Sequence, residues 1–292
     1  MSGILWGLLG AVLIGASDCV ARITSQRVAI SILFLSIMGL SFATLSAGLA
    51  ISMSWPAWHP AGWGASAISG LLNLVALYFL YRALARGPVA VASPAASTFT
   101  VLLVALNIFT GEPWSWMQVV AMLIVFTGVA MLARPTSIDA DTRNYDSAWL
   151  KHTALFGLAA ATAVAVRMFF AQEANSAIGT LHALYLNRLF ALVGSITLVA
   201  FHLYRSNELS WPTGRIRNLV VAQTILETAA LGSFLIGSVN GGRVAASIGF
   251  SAFAAATALF AWWWLGERIG WQRGAWIVVT GLGVLLAATT GP

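Results

Sequence analysis

The sequence predicts an all-α polytopic membrane protein of ten transmembrane helices, arranged as two inverted five-helix repeats. Three observations carry that expectation. Hydrophobic residues make up 59% of the 292-residue chain and charged residues only 8%. A soluble domain carries roughly 25% charged residues, and a chain with so few could not cover its surface. A spanning helix with its turn takes about 25–30 residues, so ten of them use the whole chain. Finally, Gly87 to Ala133 and Gly242 to Ala288 align without gaps at an offset of 155 residues. Gly87, Val89, Ala90, Gly111, Glu112, Trp116, Gly128, Val129 and Ala133 all recur in the second copy.

Each copy is an apolar run, a short Gly-Glu turn and a second apolar run, and such self-similarity marks a repeat architecture. Upstream the match is looser, with Trp6-Gly7-Leu8 against Phe156-Gly157-Leu158. The hydrophobic runs place spans at 3–23, 29–52, 61–84, 88–110 and 114–134 in the first half. The second half gives 150–170, 178–204, 213–238, 243–265 and 269–290. The chain thus divides into a first repeat (1–134), a polar connector (135–149) rich in Asp, Asn and Pro, and a second repeat (150–292). An odd number of spans per repeat makes the second enter the membrane from the opposite side. The halves are then related by an axis in the membrane plane, as in secondary transporters that hold substrate at the repeat interface.

Basic residues set the expected orientation. The odd-numbered loops and adjoining helix ends hold Arg22, Arg27, Arg82, Arg86, Arg134, Arg143, Lys151, Arg205, Arg215, Arg217, Arg268 and Arg273, against Arg243 alone at the even loops and termini. That asymmetry puts the odd loops in the cytoplasm and both termini on the outer face. The first run is read as a span and not as a signal peptide: it has no basic start, and Asp18 stands before Cys19 where a lipoprotein signal needs a small residue. Trp55, Trp58, Trp63, Trp114, Trp116, Trp211, Trp262, Trp263, Trp264 and Trp271 fall near span ends, where amphipathic rings anchor at the interface.

Several chemistries are excluded. A single cysteine cannot form an intramolecular disulfide or a cysteine-based metal site. The single lysine, Lys151, is not in a phosphate-binding loop. No HExxH or GxSxG motif occurs, and His59, His152, His182 and His202 are not at ligand spacing. No enzyme activity, metal or cofactor is expected. The net charge of +6 follows from topology and calls for no nucleic acid. The expected partners are a small-molecule substrate and membrane lipid, with the chain a monomer or weak homodimer.

Polar groups inside a span cost free energy, so each asks for a partner or a function. Glu227 lies close to the midplane of span 8, with Gln223 and Thr224 one turn earlier. It is a candidate for taking up a proton, for pairing with a substrate amine, or for a structural ion pair. Arg188 and Asn187 lie in span 7, and Arg188 is both the natural partner of Glu227 and a candidate fork for a substrate carboxylate. Arg167, near the outer end of span 6, has the reach to snorkel to the interface. Asp18 and Arg22, at i and i+4 near the inner end of span 1, read as an ion pair or as half of a cytoplasmic gate. Ser93, Ser97, Thr100, Val104 and Asn107 share one face of span 4, with Pro94 among them; Asn73 is central in span 3, and Tyr78 lies toward its inner end. Such a face serves either substrate or helix packing. Pro94 permits a bend, and its counterpart in the second repeat, Gly249, also weakens a helix. Both are gating candidates. Gly266, Gly270 and Gly274 recur every four residues, a spacing for close helix packing.

With these residues in hand, the chain resembles the drug/metabolite transporter superfamily in its ten-helix form of two EamA-type repeats. The carriers are the first-span LIGASDCVAR, the PVAVASPAAS that opens span 4, and the two Gly-Glu turns. The likeness implies an exporter of small metabolites, similar to the aromatic amino acid exporters of the bacterial inner membrane. It also implies peripheral spans 5 and 10, with the other eight around a central cavity. Two departures stand out. The loop after span 2, commonly basic in the family, has no Lys or Arg here, and Pro94 is not repeated in span 9. The expected function is export of small metabolites, amino acids including aromatic ones, by alternating access. The alternatives are a passive channel, against which the scattered polar residues argue, and a carrier of other organic compounds or drugs.

Overall fold

The computed structural model describes residues 3–86, 98–132, 147–205, 211–265 and 271–289. Among these every regular element is an α-helix. In chain order they are α1 (Gly3–Thr24), α2 (Ile30–Ser52), α3 (Pro60–Arg86), α4 (Phe99–Phe109), α5 (Trp116–Leu132), α6 (Ser147–Ile178), α7 (Thr180–Arg205), α8 (Gly214–Gly241), α9 (Arg243–Phe250), α10 (Phe253–Leu265) and α11 (Trp271–Thr289). Seven stretches are long and apolar enough to cross a membrane, with α9 and α10 counted as one and α6 contributing Leu155–Ile178; shorter apolar helices cover Phe99–Phe109, Trp116–Gly128 and Gly274–Leu286. In hydrocarbon only internally bonded backbone can span, which is why apolar runs of this length fold as helices. Ser93, Pro94, Ser97, most of the 135–149 connector and the second Gly-Glu turn lie outside the described residues.

Where the chain reverses, the backbone explains the reversal. α6 and α7 meet at Gly179 with φ +81°, and α8 and α9 at Gly242 with φ +86°; a side chain disfavours both conformations. The largest departure from expectation is span 6, expected at 150–170. Its helix continues to Ile178. The segment Ala171–Ala177 reads as a polar turn because it holds Gln172, Glu173, Asn175 and Ser176. Those polar groups are instead satisfied by neighbouring helices: Gln172 Nε2 donates to Ser238 Oγ at 3.1 Å, and Asn175 Nδ2 to the Leu235 carbonyl at 2.6 Å. Span 9 is interrupted at Ser251–Ala252. There Ser251 Oγ donates to the Ile248 carbonyl, and the Ala252 amide bonds to Gly249 three residues back, a locally tightened turn.

Packing pairs helices across the two halves. α1 runs antiparallel along α8, with Gly3 against the Gly237 and Gly241 carbonyls at one end and Thr24 bonded to Gln223 at the other. α6 runs antiparallel along α3 in the same manner, from Gly62 beside Ile178 to Phe79 beside Phe156. α2 lies against α7, where Phe42 stacks on Tyr185 at 5.2 Å. α5 lies against α11, where the Gly128 backbone meets Thr280. α4 crosses α9 and α10 through Phe99, Phe250 and Phe253.

The core is largely apolar, as in a soluble protein, but the polar residues it holds and the exterior around it differ from one. Asn73, Asn107, Gln118, Gln172, Asn175, Asn187, Arg188 and Gln223 are buried, while Ile51, Phe109, Leu155, Ile225 and Leu285 are more than half exposed. Such an apolar exterior is a liability in water and the normal surface of a chain in lipid. Nine of the ten anchoring tryptophans are exposed, and Trp63, the tenth, is partly covered by Phe190.

Candidate functional site

The candidate site is a band of buried polar groups at mid-span. Arg188 projects from α7, eight residues after the helix begins, and its side chain is 1% exposed. Its Nη1 donates to Glu227 Oε1 at 3.3 Å and to Met38 Sδ at 3.4 Å. Glu227 sits near the middle of α8, so a single contact ties α7 to α8 and leans on α2. Arg188 Nε and Nη2 are enclosed and have no hydrogen-bond partner.

Around this pair the helices are stitched by smaller groups. Asn187 Nδ2 donates to Ser69 Oγ at 2.7 Å, joining α7 to α3. Asn73 is buried and donates to Met38 Sδ at 3.8 Å, which joins α3 to α2. Ser41 and Thr228 share a hydrogen bond at 2.8 Å between α2 and α8. Thr24 Oγ1 donates to Gln223 Oε1 at 2.8 Å. Thr224 is buried, but its hydroxyl bonds to the Val220 carbonyl of its own helix. Asp18 accepts from Thr257 Oγ1 at 3.3 Å, which links α1 to α10, and is near enough to Glu227 for their charges to interact. Arg22, one turn further, is exposed at the end of α1.

Arg167 is a correction to the sequence reading. The extended α6 places it mid-span and not at the outer end. It does not snorkel: its side chain is half-buried, its Nε and Nη1 are enclosed and unpartnered, and it lies within electrostatic reach of Glu227 and Arg188. The site therefore gathers two carboxylates and two guanidiniums, from α1, α6, α7 and α8. Tyr78 is not brought to it. It is 44% exposed, with the Arg82 guanidinium over its ring at 5.3 Å, and about 140° round the helix from Asn73. Thr100, Val104 and Asn107 are buried on the inner face of α4, and Asn107 Nδ2 reaches Ser247 Oγ at 3.5 Å. Gly249 is buried at the crossing of α9 with α1, two residues before the interruption of span 9.

A second polar cluster lies at the face where α1 begins and α8 ends. Arg243 Nε meets Glu112 Oε1 at 3.1 Å, Nη1 pairs with Glu173, and Nη2 donates to Ser176 at 2.7 Å. Glu112 follows α4 in the first half, whereas Arg243 and Glu173 belong to the second. A cleft of about 500 Å³ opens beside them, lined by Glu112, Asn175, Ser176, Thr180, Ser238 and Arg243. The sequence signal lies in Arg243, set apart from the other basic residues by the expected topology, but its acidic partners lie 131 and 70 positions away along the chain.

An apolar exterior, cross-packed halves and a buried mid-membrane band of charge define an integral multi-pass membrane protein with the build of a transporter. The chain belongs to the EamA-like transporter family, whose model matches residues 1–134 and 152–289, one repeat in each half. No curated protein matches it. Among solved structures, a crystal structure titled only as that of a protein is similar over 98% of this chain and 96% of its own, with a TM-score of 0.77 at 20% identity. At that identity the likeness speaks for the fold alone.

Proposed function

We propose that the chain is a secondary carrier that exports small metabolites, amino acids including aromatic ones, across the bacterial inner membrane. In this reading ten transmembrane helices form two inverted repeats, which rock about the mid-span band to expose it to each face in turn. The observation that carries it is the buried Arg188–Glu227 contact, with Asp18 and Arg167 close by. Ionisable groups at membrane depth are expensive, and in transporters they mark the substrate or ion path. Exchange packing supports the inverted repeats: α1 on α8 is matched by α6 on α3, and α2 on α7 and α5 on α11 each join equivalent helices. A carrier also needs the site closed to one face at a time, and the Arg243 cluster joins the two halves across one face.

The test is countertransport in proteoliposomes. A carrier gives saturable efflux of labelled substrate, accelerated by unlabelled substrate on the far side. A channel gives flux that rises linearly with concentration and ignores the far side.

A further inference from the structure

Arg188 spends one nitrogen on its visible partners. Nη1 serves both Glu227 and Met38, and at 3.3 Å the contact with Glu227 is long for a charge-assisted bond, which is normally about 2.7–2.9 Å. Nε and Nη2 lie along the other edge of the guanidinium. That edge is the side-on fork whose two parallel N–H groups match the two oxygens of a carboxylate. Both nitrogens are enclosed, in a side chain 1% exposed, and neither has an acceptor. Arg167 has the same condition at Nε and Nη1. An ion pair built only to satisfy itself would turn the fork toward Glu227. Enclosed guanidinium N–H groups without acceptors are destabilising, and an arriving anion removes that penalty.

We infer that the mid-span band is a carboxylate-binding site in which the Nε/Nη2 edge of Arg188 grips the substrate, with Arg167 as a second donor. The transported compounds are then organic acids or zwitterions, not amines or neutral molecules. Glu227 and Asp18, at the same level, are the groups that would meet the ammonium of a zwitterion. This inference rests on the carrier reading and narrows its substrate.

The experiment uses the purified full-length chain and matched sets of ligands that share a skeleton: L-phenylalanine, 3-phenylpropionate, L-phenylalaninamide and phenethylamine, with the alanine and leucine equivalents. Ligand-induced thermal stabilisation in detergent is read for wild type, Arg188→Lys, which keeps the charge and loses the fork, and Arg167→Gln. Counterflow in proteoliposomes runs in parallel. Compounds with a carboxylate stabilise the wild type, while the amides and amines do not. The half-saturating concentration rises about tenfold or more in the variants, whose melting temperatures without ligand show that they are folded. Stabilisation indifferent to the carboxylate, stabilisation by no acid in the panel, or acid binding undiminished in both folded variants overturns the inference. Counterflow of an amine or neutral compound would leave the carrier standing with the carboxylate site gone.

Discussion

Removing Glu227 alone is predicted to harm the protein more than removing the whole ion pair. The Arg188 side chain is 1% exposed and its charged partner is Glu227. Glu227→Ala therefore strands a guanidinium that already has two nitrogens without acceptors. Breaking one side of a buried pair costs about 3–5 kcal/mol, because the surviving charge stays desolvated. Replacing both partners by apolar residues of similar volume is often neutral or stabilising. In the double variant Arg188→Met/Glu227→Leu, the new side chains fall among Met38, Leu184 and Leu231, which are buried nearby in sequence or contact. The expected order of melting temperature in detergent is wild type close to the double variant, and Glu227→Ala lower by roughly 5–15 °C. Arg188→Met alone falls between, since the Glu227 side chain is 11% exposed and a carboxyl can accept a proton. Size-exclusion profiles and thermal unfolding of the four proteins complete the cycle. If Glu227→Ala melts within a degree of wild type, the guanidinium is not confined as described. If the double variant is as unstable as Glu227→Ala, packing and not the charge pair governs this site.

Three further outcomes follow from the geometry. A Cβ at Gly249 would stand 2.2 Å from the Ile4 carbonyl and one at Gly7 2.2 Å from the Ala246 carbonyl, so Gly249→Leu or Gly7→Leu forces α1 off α9. Loss of several kcal/mol, read as lost monodisperse protein in detergent, is expected, while Gly48→Ala, in open space, is tolerated. Arg243→Ala releases Glu112 from Glu173 and frees the face they close. At about 0.7 kcal/mol for each of the two partly exposed pairs, accessibility of a cysteine at Ser238 to a membrane-impermeant maleimide should rise roughly tenfold, and an unchanged labelling rate would show that the cluster does not hold that face. With Cys19 replaced, single cysteines at Ser25 and at Ser54, which flank the two ends of α2, report orientation. The arginine distribution predicts that only the second is labelled from outside in intact cells, and the reverse pattern would refute it.

The helices were legible because their signal is local: apolar length and the absence of charge are properties of one stretch. The repeat was legible because it is written twice. What failed was the end of span 6, and it failed for a physical reason. Gln172 and Asn175 look like loop residues until their partners on α8 are known, and partners more than 60 positions away leave no mark in a local window. The same boundary, placed at 170 and not 178, puts Arg167 at the interface, where snorkelling is the natural expectation. Arg188 and Glu227 were picked out individually by their depth, and their contact was expected as one of several alternatives. Tyr78 lies toward the inner end of the same span as Asn73, but a helix turns through 100° per residue, and five residues carry it to a different face. The Arg243 cluster spans both halves and needs the fold before its three charges can be placed together.

The most direct test of the carrier reading is efflux from proteoliposomes loaded with labelled amino acids, with and without an imposed pH gradient, for wild type and Glu227→Gln. The account predicts saturable efflux that unlabelled substrate on the opposite side accelerates, and loss of any dependence on the gradient in the variant if Glu227 takes up the coupled proton. Efflux that rises linearly with concentration and ignores substrate on the far side would contradict it.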